Sequence, residues 1–398
     1  MEPSGERGTV TVGPSGARYK SVLHRLTWLV GPIAWATATW VGRSAPGLAE
    51  ALYGGGAGAL AGFLLARATG WLPFALAEFA LAGFVGYELW RLGNALRRAP
   101  RWRRFGGAAL RVVRDLSLVV AAFYLLWGFH YARPTLPERA GWPAPDQDLE
   151  IRVALASAQV DRANALYHTL HGSDDAGEAT RLEDAGVRAL DAALETSWAT
   201  LPADLALPDA ARWRRGPTKE LLISPLLHRL GLSGFYFPFT GEANVNASVP
   251  IVSRARVMSH EKAHQRGIGP EDEANFLGWM AAARADHPHA RYAAAVFAQR
   301  QLLFTLPIAP RDSLVRRRVP GVQRDVNDLL AYWRRAEGPA REVSRNVNHA
   351  YLRSNRVHGG IASYGRSVRL LLAWARRNGD LDAQEPITDD AVTLPLPR

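Results

Sequence analysis

The residue pattern predicts an all-α membrane region with three transmembrane helices, followed by a mostly α-helical soluble domain with a short β-hairpin or edge strand. Three observations lead there. Three apolar, arginine-bracketed stretches lie within the first 132 residues, helical periodicity dominates after Leu149, and a metal-ligand pattern sits far from the apolar stretches. A chain of 398 residues has room for two or three domains. It contains no cysteine, which excludes disulfides and any Cys-ligated zinc or iron–sulfur centre.

The membrane domain is expected over residues 1–132. Its first apolar stretch, 26–42, has Trp28 and Trp40 near its ends and Arg25 and Arg43 as brackets, the anchoring expected at two interfaces. A cleaved signal peptide would account for this stretch but not for the next two. The second, 71–90, lies between Arg67 and Arg91 and is interrupted by Pro73, Glu78 and Glu88. Within it, Glu78 is costly in lipid and therefore a candidate for function. The third, 116–132, follows Arg114 and Asp115. The glycine-rich apolar segment 57–69 reads as a re-entrant or interfacial piece.

Charge sets the orientation. Residues 91–114 carry eight arginines and no acid, so they are expected as a basic cytoplasmic loop. The N-terminus, with Arg7, Arg18, Lys20 and Arg25, then lies inside, and the third span carries the remainder out. Residues 1–130 hold 14 Lys and Arg against 6 Asp and Glu, whereas the rest hold 34 against 31. The net charge of +11 is therefore mainly topogenic. A nucleic-acid partner, which needs a basic face on a folded domain, is excluded.

Pro134, Pro143 and Pro145 mark 133–148 as a linker, and 149–398 as the extracytoplasmic domain. Apolar spacing predicts helices over Leu149–Leu170 and Gly177–Trp198, separated by a turn at Gly172. Residues 233–250 combine aromatic, β-branched and turn-forming residues, the signature of a hairpin or edge strand, with Pro238 excluded from any central strand. Glu242, Asn244 and Asn246 are the substrate-side candidates there, because an extended peptide can pair with such an edge. From Val252 almost to Asn378 the pattern is helical.

The chemistry concentrates in residues 259–276. His260 and His264 are four apart and share one helix face, with Glu261 beside them. This HExxH pattern supplies two zinc ligands and a general base, and composition alone yields about 0.01 chance occurrences in such a chain. Gly267 can end the helix with positive φ, and Gly269-Pro270 starts a second helix that reverses over the first. A carboxylate in its first turn can complete a Zn2+ site; Glu271 is the choice and Glu273 the fallback. Asn275, one turn on, is the candidate to orient a ligand. Donors for a developing oxyanion are sought in Tyr364 and Arg366, or in Tyr351 and His358.

The HExxH helix followed by Glu271-x-x-x-Asn275 resembles the glutamate-ligated zinc metallopeptidases, in which an aspartate stands at the Asn275 position. That resemblance implies a zincin-like domain with His260, His264 and Glu271 as ligands and Glu261 as base. Pro270 occupies the position of the last histidine in HExxHxxGxxH enzymes and excludes that ligand set. The whole chain is similar to an uncharacterised bacterial membrane-protein family with three N-terminal spans and an extracytoplasmic HExxH domain. The matching segments are Pro73–Glu78, Phe237–Asn246, His260–Phe276, Ser363–Arg366 and Leu370–Trp374. It implies the architecture of a bacterial inner-membrane protein, and the HExxH site adds the expectation of a zinc hydrolase acting on peptides or proteins of the envelope. The competing expectation is a non-catalytic, membrane-tethered metal-binding or assembly protein.

Overall fold

Helices account for most of the chain, and one small mixed sheet of three strands is inserted between them. The computed structural model describes residues 27–145, 148–175, 184–355 and 366–381, with the single positions 177, 182 and 357. The basic residues before Thr27 and the expected donors Tyr364 and His358 lie outside the described residues.

The N-terminal third consists of Val30–Ser44, a helical run over Pro46–Thr69, Leu76–Leu96 and Arg101–Leu126. Val30–Ser44 packs closely on Arg101–Leu126 through Gly31, where a Cβ would lie 2.6 Å from the Ser117 carbonyl oxygen. The Ser117 hydroxyl accepts the Gly31 N–H at 3.0 Å and donates to the Trp28 carbonyl at 2.7 Å.

Two expectations are refined here. Residues 91–114 are not a loop, because one helix continues to Leu96 and the next begins at Arg101. Arginine is a good helix former, and the charge rule reads the side of a membrane rather than backbone conformation. Arg91 bridges Glu88 on its own helix and Asp115 on the next, the latter at 2.7 Å. The second concerns the spans, of which one is met by length and composition. Among the described residues, Pro46–Thr69 is the one helical run long and apolar enough to cross a membrane, and it contains the 57–69 segment read as interfacial. The 26–42 stretch becomes a helix of 15 residues, Val30–Ser44. The 71–90 stretch becomes helical only at Leu76, in a helix that runs to Leu96 and contains Glu78, Glu88 and Arg91. The 116–132 stretch is the latter part of a helix whose first half is rich in arginine, and it ends at Leu126.

Glu78 and Glu242 have structural work at this junction. The Glu242 carboxylate accepts the backbone N–H groups of Leu76 and Ala77 at 3.0 and 2.8 Å, where a helix N-terminus favours an anion. Glu78 in turn accepts from Leu222 and Ile223 at 3.1 and 2.9 Å.

The 133–148 segment, expected as a linker, is docked over its first part. A short 3-10 turn over Gly128–Ala132 leads into the helix Leu136–Ala140, which has a Thr135/Glu138 capping box. Leu136 is fully buried, and its N–H donates to the Glu273 carboxylate at 2.7 Å. Trp142 packs edge-on against Phe276 in the main core.

The hairpin is present as β2 (Gly234–Phe237) and β3 (Glu242–Val245), antiparallel, with Pro238 in the connecting turn. A two-residue strand, β1 (Lys219–Glu220), pairs parallel with β3, so β3 is central and β2 is the edge. Behind the sheet, Ile251–Gln265 and Glu271–Arg284 pack together in the core with Trp198, Met258, Phe276 and Trp279. Glu271–Arg284 is buried nearly all round, as expected of a core helix.

A buried ionic cluster underlies the HExxH helix. The Lys262 ammonium, completely buried, meets Glu195 at 2.8 Å and Asp191 at 3.2 Å. Arg266 meets the other Glu195 oxygen at 2.6 Å and lies over the Trp198 ring. Glu195 also accepts the Arg215 N–H at 2.5 Å. Burial pushes the Glu195 carboxyl up, but the Arg266 and Lys262 charges outweigh it and hold it down at about 2.

Candidate metal centre

The Ile251–Gln265 helix presents His260, Glu261 and His264, all buried, toward one cleft. It stops because Gly267 adopts φ +81°, a left-handed conformation that also leaves room for the His130 ring. The chain turns through Gly269-Pro270, and Glu271 opens the next helix. The two helices approach most closely at Gly278, where a Cβ would lie 2.9 Å from the His260 backbone nitrogen. That approach brings the second helix against the motif.

Three side chains converge. His260 Nε2 and His264 Nε2 are 3.1 Å apart, and Glu271 Oε2 lies 3.3 and 3.5 Å from them. One ligand atom from each lies within 4.8 Å of the others, close enough for a single ion. The donor set, two imidazoles and a carboxylate, suits zinc. Buried Glu271 Oε2 has no hydrogen-bond partner, nor does Glu261 Oε2 or His260 Nδ1. A buried, unsatisfied Glu271 oxygen beside two imidazole nitrogens fits a cation there. His264 Nδ1 faces the Ile268 carbonyl at 2.7 Å, which fixes the ring and leaves Nε2 for an ion.

The electrostatics are strongly polarised. Burial pushes the Glu261 carboxyl up to about 8. It also pulls the His260 imidazole down to about 4, helped by the neighbouring His264 charge. Burial acts the same way on His264, but the Glu271 and Glu261 carboxylates outweigh it and raise that ring to about 9. Glu271 is held far below the usual carboxylate range, because the imidazoles overcome its burial. Concentrated perturbations of this kind mark functional sites.

The cleft measures about 870 Å³. One wall is edge strand β2, where Gly234 has no room for a side chain: a Cβ would lie 2.5 Å from the Asn244 carbonyl and 2.9 Å from Glu261 Oε1. A second wall comes from the N-terminal region: Trp127 lies near the His264 ring, and Tyr131 stacks on Trp127. A third comes from Pro339–Ser354, with exposed Val343 and Val347, and with Tyr351, whose hydroxyl is 3.1 Å from that of Tyr131. That helix is pinned at its end, since Trp35 donates to the Ser354 carbonyl and Tyr124 to the adjoining Asn355.

The remaining sequence candidates lie elsewhere. Glu273 is taken by the Leu136 N–H and by Arg139 at 3.5 Å, so it is not in the ligand set. Asn275 reaches the cleft but accepts from Arg256 at 2.9 Å, and the ring-orienting role falls to the Ile268 carbonyl. Arg366 pairs with Asp272 at 3.6 Å and does not line the cleft. Glu242 and Asn244 sit on central β3 and Asn246 directly follows it, all three buried and off the cleft wall. Asn244 binds the Glu242 carbonyl, and Asn246 holds the Leu232 carbonyl and the Ser248 turn. Alternation along β2 and β3 was the available signal, and it does not say which strand lies at the edge. Trp127, Tyr131 and Arg256 carry no local motif that marks them.

A family model described as "Protein of unknown function (DUF3810)" matches residues 60–372. No curated protein and no solved structure matches the chain. The match covers well over half of the sequence, so the chain belongs to that family.

Proposed function

We propose that this member of the DUF3810 family is a membrane-anchored, zinc-dependent hydrolase, most plausibly a metallopeptidase of the bacterial envelope. The reading is carried by the convergence of His260, His264 and Glu271 beside an unpaired, buried Glu261. A divalent cation held by the three would supply Lewis acidity toward water and a substrate carbonyl. Glu261, buried beside the ligand set but outside it, is placed to take the proton from the attacking water and return it to the leaving amine. The Tyr351 and Tyr131 hydroxyls, at the cleft wall, are the candidate donors to the oxyanion. Edge strand β2 offers backbone groups for an extended peptide, with Val343 and Val347 opposite for apolar side chains.

Among the described residues no fourth ligand completes the set, which favours an open, reactive position over a closed structural metal. Purified protein is expected to hold about one zinc ion per chain, and His260→Ala to lose it. Equal metal content in the two by elemental analysis would remove the basis of the assignment.

The three-span topology belongs to the same proposal. Its support is the row of large apolar side chains exposed on the N-terminal helices, among them Ile33, Trp40, Leu81, Leu89, Leu118 and Leu125. On this reading residues from about 133 onward, with the metal site, lie outside the cytoplasmic membrane. A reporter active only in the cytoplasm, fused after Arg398, is expected to stay silent; a signal reverses the orientation.

A further inference from the structure

A second cavity, about 530 Å³, shares Arg256, Asn275 and Trp333 with the metal cleft. Four arginines line it, Arg256, Arg300, Arg311 and Arg318, and no carboxylate does among the described residues. Arg256 sits between the two spaces: its guanidinium donates to Asn275 and lies 5.2 Å from the Phe297 ring centre. Arg318 is held by neutral partners, Gln299 at 3.0 Å and Gln323 at 3.2 Å. Arg311 has only its neighbour in sequence, Asp312, at 3.4 Å in an exposed pair. The Arg300 guanidinium makes no hydrogen bond and no ion pair among the described residues, and its carbonyl accepts the Phe304 N–H at 3.2 Å. Burial lowers both Arg300 and Arg318, and the Arg300 charge lowers Arg318 further, to about 10.

Arg300 and Arg318, half-buried like charges with no carboxylate partner among the described residues, are costly to hold together unless an anion joins them. Guanidinium groups are also the side chains best shaped to grip a carboxylate or phosphate through paired N–H donors. We propose that this cavity is an anion subsite of the metal cleft, and that it takes the free C-terminal carboxylate of a peptide whose neighbouring bond lies over His260, His264 and Glu271. Anion binding follows from the arginines alone; the identity of the attached molecule rests on the hydrolase reading. Arg256 and Trp333, common to both spaces, are placed to report and transmit occupancy.

The test is calorimetric titration of the full-length protein with an N-acetylated tripeptide, its C-terminal amide, and inorganic phosphate. The free acid is expected to bind about tenfold or more tighter than the amide, the effect of one charge-assisted contact pair. Arg300→Gln should erase that ratio with zinc content and thermal midpoint unchanged, and Arg300→Lys should restore part of it. Equal binding of acid and amide by the wild type overturns the proposal. Tight phosphate binding without an acid preference overturns the carboxylate and assigns the oxyanion to a phosphate ester. A protein that discriminates acid from amide yet neither holds zinc nor hydrolyses peptides keeps the subsite and fails only the hydrolase reading.

Discussion

Glu261→Gln is expected to lower peptide hydrolysis by about 10²–10⁴-fold, the usual contribution of a positioned acid–base group, while zinc content stays at the wild-type level. Glutamine matches the shape of the side chain, which matters because Gly234 leaves no space beside it for anything larger. The amide cannot accept the proton that the carboxylate takes. It is not one of the three converging ligands, so the cation stays. The measurement is cleavage of a peptide pool followed by mass spectrometry, alongside elemental analysis of the same samples. Undiminished cleavage by the variant would show that another group is the base. Loss of zinc together with activity would show that Glu261 is a ligand.

Glu195→Gln is expected to cost about 3–5 kcal/mol of stability, because it strips the buried Lys262 and Arg266 of the carboxylate they share. The same residue governs the acid limb. Its folded value of about 2 lies below the ordinary 4.5, so its contribution is complete above about pH 4.5 and is lost as the pH falls toward 2. The shift corresponds to up to about 3 kcal/mol. Chemical denaturation of wild type between pH 6 and 3 should therefore show a falling midpoint, and the variant a lower but flatter one. Parallel slopes would mean that other carboxylates set the acid response.

The metal site was the most legible part of the sequence because its geometry is local. Helical spacing alone puts His260 and His264 on one face, and the Gly-Pro reversal places a carboxylate of the next first turn against them. Spacing gives a face but not a partner. Asn275 does face the cleft, yet the group it meets is Arg256, one helical turn before His260. Lys262 looked like a spacer in the motif, whereas its partners Asp191 and Glu195 come from a helix some seventy residues earlier, beyond the reach of any local rule. Strand β1 is two residues long and too short for alternation to register. The arginine run from 91 to 114 lies between two apolar stretches, and its charge speaks to orientation and not to backbone conformation, so its helices were not legible.

The stretch from Trp127 to Arg139 has a practical corollary. The Arg133 guanidinium donates to the Gly267 carbonyl at 2.8 Å and pairs with Glu50, while His130 fills the space left by the missing Gly267 side chain. The N-terminal region and the domain that carries the candidate site thus interlock like a dovetail at the turn between His264 and Glu271. A secreted fragment beginning after residue 133 would leave that turn unbraced and one side of the cleft open to solvent. Residues 127–139 therefore belong with the candidate site and are no dispensable tether.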